Sequence, residues 1–575
     1  MKNAEIAELL EKMGTLLEIK GENVFKIKAY YKAADNIRSL SEDIVHIKEQ
    51  KRLREIPGVG EAIAEKITEY LDRGKVTAYE ELTKEVPESL LEIVQIPSVG
   101  PKKAKLFFDQ LKITNRDELH QAIKQGKLLG VEGIKEKTIE NILRGLEIVQ
   151  AGQERMNLGD ATRIAEEFIN ALKKLPQIKE ISIAGSLRRG QETVRDIDIL
   201  VVASEPSNVM EAFIHLPQVR SVNAHGETKS SIMTHQNVQV DLRVMEPKTY
   251  GAALLYFTGS KNFNIKLRQI AIKKKMKVSE YGIFSLQGEQ EKFLAGKTED
   301  EYFKALGLAF VPPELREDIG EAEFFETKKI PTLIEQKDIQ GELHVHSTWS
   351  DGHNTIAQMA EAARNRGYKY LAISDHSAKL RVARGVSAED LKKKKKEIDD
   401  LNARYKDFRI LFGSEVEIDK DGNLDYNEKI LSEFDIVIAS IHSGFEQSSE
   451  QLTNRLIKAC QNKYVNIIGH PTCVHLGKRP PIDVDFKKVC EAAVQENVFL
   501  EINAFPVRLD LNSSNVYFAR REGVKFAINT DSHHIEHMNH MRFGITIARR
   551  GWLTKADVLN TLSLEELLKK LKKKG

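Results

Sequence analysis

Apolar positions change their period three times along the chain. Up to about residue 155 the spacing is helical: Ile6, Ala7, Leu9, Leu10 and Met13 share one face, as do Ala29, Tyr30, Ala33, Ala34 and Ile37. Ile56-Pro57-Gly58-Val59-Gly60 opens a helix carrying Ile63, Ala64, Lys66 and Ile67, and Ile96-Pro97-Ser98-Val99-Gly100 opens another carrying Ala104 and Phe107. A weaker third copy, Val131-Glu132-Gly133-Ile134-Lys135, has lysine where the others carry a second glycine. These are internal repeats of helix-hairpin-helix type. Gly58, Gly60 and Gly100 permit tight turns whose amides point outward at a helix N-terminus, where a phosphate binds without its base being read. An ordinary packing turn is the alternative.

From 156 to about 246 strands and helices alternate. A helix over about 158–175 precedes Ile181 and Ile183, then Gly185-Ser186-Leu187-Arg188-Arg189-Gly190, then Asp196-Ile197-Asp198 running into Ile199, Leu200, Val201 and Val202. The pattern predicts strand, glycine-bounded turn, strand. Asp196 and Asp198 are two apart, so both carboxylates point to one face of the strand. Two like charges that close are costly unless a cation sits between them. Val238 to Val244 alternates in the same way and puts Asp241 and Arg243 on one face. If the two strands are neighbours, Asp241 completes a trio suited to two magnesium ions and an in-line phosphoryl displacement, with Ser186 and Arg189 beside it to hold a phosphate oxygen. The bland reading is a set of surface acids. Farther on, Tyr256-Phe257-Thr258-Gly259-Ser260 predicts a short aromatic turn before a basic helix with Lys266, Arg268, Lys273, Lys274 and Lys275. Glycine after two aromatics suits close approach by a flat base or sugar, with aromatic core packing as the alternative.

Residues 319–338 are polar and acidic, with Pro331, and predict a linker. From 339 onward seven strand-like runs recur, separated mostly by helical stretches, which predicts a parallel sheet. Six of them end in imidazole or carboxylate: His344 and His346, His376, Glu415, His442, His470, and Asp531 with His533. The remaining run reads Glu501-Ile502-Asn503. Ligand types gathered at C-terminal strand ends predict a closed barrel, which converges those ends on one mouth. Imidazoles with carboxylates suit ions of the zinc or manganese class, and the set is too rich for one ion. Two or three ions there would activate water against a phosphodiester. His475, His534, His537 and His540 are expected at the surface, and His353 is a spare. The basic runs Lys392 to Lys396 and Leu568 to Gly575 sit on helical patterns and are expected to be solvated faces, or else to hold single-stranded DNA.

Composition adjusts this picture in four places. At 575 residues the chain exceeds one core. Net charge is only +2, which excludes nucleic-acid binding by bulk charge and leaves local patches and backbone amides. The three cysteines (Cys460, Cys473, Cys490) form neither a zinc spacing nor a disulfide framework, which fits a reducing, cytoplasmic setting. No apolar run approaches the roughly 20 residues that span a bilayer, and the start is a charged amphipathic helix. Of 16 histidines, 11 lie between His344 and His540, so the C-terminal third is where a metal is expected.

Residues 1 to about 318 resemble the family X DNA polymerases. The match is carried by GSLRRG and RDID, by VDLR, and by YFTGS followed by Asn264, Arg268 and Glu280-Tyr281. The resemblance implies a lyase-like helix-hairpin-helix domain over 1–80, a fingers-like one over 81–155, a nucleotidyltransferase palm over 156–246 and a thumb over 247–318. It implies that Asp196, Asp198 and Asp241 bind two Mg2+ or Mn2+. Ser186 and Arg189, in the turn opened by Gly185, would grip the triphosphate of a dNTP. Tyr256 and Phe257 would line the sugar, with Gly259 close by. Asn264 and Arg268 would lie along the nascent pair and template, and Arg243 joins the DNA contacts. The family's lyase lysine falls at Lys66. Lys26 and Tyr30 match, but Ala62 and Ala78 stand where that lysine usually has basic neighbours, so lyase chemistry and a solvated helix lysine both stay open.

Residues 339–575 resemble the polymerase and histidinol phosphatase (PHP) domain, a distorted (βα)7-type barrel. Its ligands map onto His344, His346, Asp351, His376, Glu415, His442, His470, Asp531 and His533, for two or three Mn2+ or Zn2+ class ions. Asp351 stands at a position that is often histidine, with His353 two residues on. The pairing of both halves resembles bacterial family X polymerases over essentially the whole chain. That implies gap filling in base-excision-type DNA repair, a manganese-dependent 3′–5′ exonuclease and, in some members, abasic-site (AP) endonuclease activity. Substrates would be gapped or nicked duplex DNA, 3′ ends and dNTPs, handled by a cytoplasmic, nucleoid-associated monomer. Two other readings are a PHP phosphoesterase with a DNA-binding, non-polymerising front half, and a non-catalytic scaffold at DNA ends. Neither would need Asp241 or the YFTGS stretch.

Overall fold

The computed structural model describes the chain except residues 1, 39, 41–42, 97–98, 132, 154, 288–289, 321–329 and 572–575. Pro97, Ser98 and Glu132 of the hairpin repeats, residues 321–329 of the expected linker and the end of the basic tail thus lie outside the described residues. The chain forms two compact units, one of Met1–Gln153 with His475–Pro480 and one of the remainder.

The first unit is helical. Asn3–Lys20 and Val24–Arg38 bury the predicted stripes, with Ile6, Leu10, Met13, Ala33, Ala34 and Ile37 inside. Two repeats do open helices: Glu61–Arg73 follows Gly60, and Pro101–Leu111 follows Gly100. Gly58 is at φ +90°, and a Cβ there would lie 2.9 Å from the Ala33 backbone nitrogen, so only glycine fits. At Gly60 and Gly100 the backbone is extended, and a Cβ would meet nothing within 4 Å. The fold itself makes no steric demand for glycine at those two positions. Both positions are open to approach from outside.

The second unit begins with a five-stranded sheet in the order Ile178–Ile183, Asp196–Ala203, Gln239–Met245, Lys229–Thr234, Val219–His225. Only the Asp196–Ala203 and Gln239–Met245 pair runs parallel. Helices and a three-stranded meander (Met276–Ser279, Gly282–Gln287, Gln290–Ala295) follow. Two expected turns are helical instead. Gly185–Arg188 is a single helical turn, and Tyr256 and Phe257 close the helix Tyr250–Thr258. That segment is apolar on nearly every face and almost wholly buried, so it carries no amphipathic period to announce it. Gly259, at φ +71°, ends it.

Among the described residues the C-terminal part holds seven parallel strands in sequence order: Gly341–Val345, Tyr370–Ile373, Arg409–Glu417, Ile436–Ser440, Ile467–Ile468, Phe499–Asn503 and Phe526–Asn529. A bridge between Val345 and Ser532, with His346 N donating to the Ser532 carbonyl at 2.9 Å, nearly closes the barrel. This part also finishes the core before it. Trp552 and Leu333 pack with Phe263, Leu267, Tyr302, Phe303 and Leu306. The lysine run departs from the expected solvated face at Lys394, which is wholly buried. Its Nζ lies 3.0 Å from Asp375 and donates to the carbonyls of Ile373 (3.1 Å) and Gly413 (3.0 Å).

Candidate active sites

The first centre follows from strand register. Parallel pairing sets Asp198 directly opposite Asp241, and Asp196 opposite Gln239. Asp241 Oδ1 accepts from Ser231 Oγ at 2.6 Å and Gln239 Nε2 at 3.0 Å, which fixes that carboxylate. Burial, then the charges of Asp196 and Asp241, push Asp198 up to about 6. Carboxylates in this state are relieved by a divalent cation, so the donor set fits a metal. Gly185 is at φ +64°, and a Cβ there would fall 2.5 Å from Asp198 Oδ2. The loop bearing Ser186 is therefore pressed onto the carboxylates.

The two loop arginines have different surroundings. Arg188 donates to both oxygens of Glu299 at 2.8 and 2.7 Å, and the wholly buried Arg316 meets the same carboxylate at 2.6 Å. Burial works against ionisation of Glu299, but the two guanidiniums hold it down at about 2. Arg189 donates from Nε to Glu317 at 3.0 Å and from Nη1 to the Thr258 carbonyl. A Cβ on Gly259 would come within 3.2 Å of that Nη1, so the bare glycine leaves the guanidinium its space.

Beside it, Tyr256 and Phe257 meet edge to face at 5.2 Å. Arg243 lies 4.3 Å over Phe257 and Arg268 lies 6.0 Å over Tyr256, while Asn264 Nδ2 donates to the Tyr256 carbonyl at 2.7 Å. Phe257 and Arg243, with Lys229 and Tyr281, line a cavity of about 730 Å³. In the first unit, Lys66 Nζ donates to the Ala62 carbonyl of its own helix at 2.9 Å.

The second centre lies at the barrel mouth around Glu415. Its Oε1 is 2.9 Å from His470 Nε2 and 3.2 Å from His442 Nε2. Its Oε2 is 2.8 Å from His376 Nδ1, 3.4 Å from His344 Nε2 and 3.6 Å from His346 Nε2. Asp531 Oδ1 is 3.1 Å from His346 Nε2, and Asp351 Oδ1 is 3.3 Å from His533 Nε2. Among the described residues three groups have their ligand atoms mutually within 4.8 Å: His346-Asp351-His376-His533, His344-His346-Asp531 and His376-Glu415-His442. Asp351, and not His353, joins them. Despite these short separations, His344 Nε2, both ring nitrogens of His346, His376 Nδ1 and Glu415 Oε2 are buried without a hydrogen bond of acceptable angle. Such atoms are expensive in a protein interior, and shared cations would satisfy one nitrogen of each ring and the Glu415 oxygen, so these residues fit a multi-metal cluster. Burial opposes the charge on Glu415, yet His442, His376 and His344 hold it well below the usual carboxylate range.

Sequence reasoning missed the residues behind the cluster. Glu501 Oε1 is 2.7 Å from His344 Nδ1, and its Oε2 accepts from His470 N at 2.7 Å. Glu417 Oε2 is 2.7 Å from His442 Nδ1. Carboxylates in this position fix the imidazole tautomer and aim the other nitrogen inward. The signal was available, since Glu417 is two residues after Glu415 on one strand and Glu501 sits in the one run without a terminal ligand. Asp375 accepts from Ser347 N (2.7 Å) and Ser350 Oγ (2.8 Å), pinning the loop between His346 and Asp351. His534, His537 and His540, expected at the surface, are half-buried, as is His475 in the first unit. His537 and His540 stack at 5.4 Å, and both meet Phe505 edge-on.

Comparisons with known proteins match both halves of the chain. Family models match for a helix-hairpin-helix domain (residues 1–76), a SAM-like helix-hairpin-helix tandem (90–147), the DNA polymerase beta thumb (253–317) and the PHP domain (342–505). The chain is 41% identical over 570 residues to the DNA polymerase/3′-5′ exonuclease PolX of Bacillus subtilis (strain 168), covering 99% of each. It is 34% identical over 246 residues to a probable phosphatase of Thermoanaerobacter sp. (strain X514), covering 40% of this chain and 95% of that one. It is 25% identical over 345 residues to DNA polymerase lambda of Rattus norvegicus, covering 55% of this chain and 56% of that one. No helix among the described residues is long and apolar enough to cross a membrane.

Proposed function

The chain belongs to the bacterial family X DNA polymerases that carry a C-terminal PHP domain, and from that premise we propose how its two centres divide the work on a DNA 3′ end. The enzyme is a DNA polymerase with a 3′–5′ exonuclease, and a repair role fits its family. In our reading residues 1–155 hold gapped or nicked duplex through the amides of the turns at Gly58, Gly60 and Gly100. Residues 156–318 extend the primer, and residues 339–575 remove its terminal nucleotide.

At the first centre Asp196, Asp198 and Asp241 would hold two Mg2+ or Mn2+, which when bound lower the charge cost of phosphoryl transfer. Ser186 and Arg189 orient the dNTP triphosphate so that the primer 3′-oxygen bonds to the α-phosphorus and pyrophosphate leaves. Tyr256, Phe257 and Gly259 receive the sugar. Asn264, Arg268 and Arg243 lie along the nascent pair and template. At the second centre the nine residues from His344 to His533 would hold two or three Mn2+ or Zn2+ class ions, which when bound make water a competent nucleophile. There Glu501 and Glu417 orient imidazoles, and Asp375 holds the His346–Asp351 loop. Lys66, bonded within its own helix, is read as part of the DNA-holding surface.

The observation that carries this reading is the register that sets Asp198 opposite Asp241, since it turns three separated acids into one site. A gapped duplex with dNTPs and Mn2+ tests it. Asp196→Ala/Asp198→Ala should abolish extension and spare 3′ degradation, and His344→Ala should do the reverse. Extension that survives loss of both aspartates would overturn the polymerase assignment.

A further inference from the structure

The triphosphate loop of the first centre is built onto the domain of the second. Gly190, which closes that loop at φ +68°, lies so near the helix Met541–Arg550 that a Cβ would fall 2.1 Å from Thr546 Cγ2. Arg550, at the end of the same helix, is only 6% exposed. Its Nη1 donates to the Arg189 carbonyl at 2.7 Å and to Glu317 Oε1 at 2.9 Å. Glu317 Oε1 also accepts from Arg189 Nε at 3.0 Å and from Gln191 Nε2 at 2.6 Å. A carboxylate oxygen between two guanidiniums fixes both, and burial sharpens the fixation because either cation left alone would face an incomplete partner. Two further contacts repeat the pattern, with Ser513 N donating to Glu192 Oε1 at 2.6 Å and Arg550 Nε to Ser513 Oγ at 3.3 Å.

We infer that Arg550, a residue of the nuclease domain, is a positioning residue for DNA synthesis: through Glu317 and the Arg189 carbonyl it sets the guanidinium that grips the incoming triphosphate. This rests on the reading of Arg189 given above. It places the effect at dNTP binding and away from the nuclease metal ligands. Arg550 touches none of the His344–His533 set, so the two activities share a scaffold without sharing a reacting group.

The test is steady-state gap filling by the full-length protein, with dNTP KM and kcat measured separately and 3′ degradation of a single-stranded oligonucleotide followed in parallel. Displacing a gripping group by about an ångström costs up to roughly a hundredfold, so Arg550→Ala should raise dNTP KM by roughly tenfold or more. DNA affinity and 3′ degradation should stay within about twofold of wild type. Arg550→Lys, which keeps a cation beside Glu317, should recover part of the loss. Arg189→Ala is the control for the underlying reading. If it leaves dNTP KM unchanged, that reading fails and the inference with it. If Arg189→Ala raises KM and Arg550→Ala does not, the inference alone is overturned. Equal loss of both activities in Arg550→Ala and Arg550→Lys would also overturn it, because that is the mark of a general structural role.

Discussion

In the proposed reading the two centres solve the same problem, gathering cations at a phosphorus, with opposite materials. The synthesis centre uses three carboxylates on two adjacent strands, with Asp196 exposed and Asp198 and Asp241 half-buried. Few side chains brace it, and the carboxylates push against each other. The degradation centre buries His344 and His346 completely, and Glu415 and His470 to 1% exposure, at the end of a barrel. Around its ligands stands a further layer of Glu501, Glu417 and Asp375. The contrast teaches where the cations belong. An open, repelling trio binds ions best together with a substrate that brings its own phosphates. In the same reading a buried, oriented set of imidazoles holds ions without help from a substrate.

Three perturbations sharpen or break this contrast, taken from the largest effect down. Lys394→Met leaves Asp375 as a buried, unpaired charge and should cost about 3–5 kcal/mol, seen as an earlier melting transition. Synthesis by the fraction still folded should persist. A variant as stable as wild type would mean that the second centre does not depend on this layer. Glu501→Gln keeps the shape but not the charge behind His344. Its metal affinity, measured by titrating Mn2+ into chelator-treated protein and following 3′ degradation, should fall roughly 10- to 100-fold. Extension should keep its wild-type metal requirement. The mildest test is pH. Asp198 sits at about 6, above its unfolded value of 3.8. Below pH 6 it is protonated, so the Mg2+ needed for half-maximal extension should rise as pH falls through 6 and level off above it. Without cations the sign for stability is the reverse of a salt-bridged acid: the group costs stability above pH 6 and returns it as pH falls through 6. An Mg2+ requirement that is flat from pH 5 to 7 would argue that the trio is not a closely coupled site.

Both candidate sets come together in the fold, and each was legible because it obeys a short-range rule. Asp196 and Asp198 share a strand face by the two-residue period, and Asp241 does the same on its neighbour. His344 to His533 sit where parallel strands end. What escaped the sequence depends on distant partners. Lys394 looks like any lysine in a run of five until the fold brings Asp375 beneath it. Tyr250–Thr258 is too evenly apolar to show a period, so the aromatic pair looked like a turn. Glu501 is two residues short of its strand's end, and only the barrel shows that it stands behind His344. Arg550 lies 361 residues from Arg189, and no local pattern links them.

Trp552 carries a consequence for the making of the protein. It completes a core whose other fully buried members lie between Ala252 and Leu333. A ribosome working at roughly 5–20 residues per second adds the intervening 200 or so residues in about 10–40 seconds. During that interval the newborn thumb has an unfilled face. By the time it is sealed, all seven strands of the nuclease barrel have been synthesised. The barrel's own core closes later still, because Leu559, Leu567 and Leu571 follow Trp552 in the chain, so the barrel is complete only once the last helix has been made.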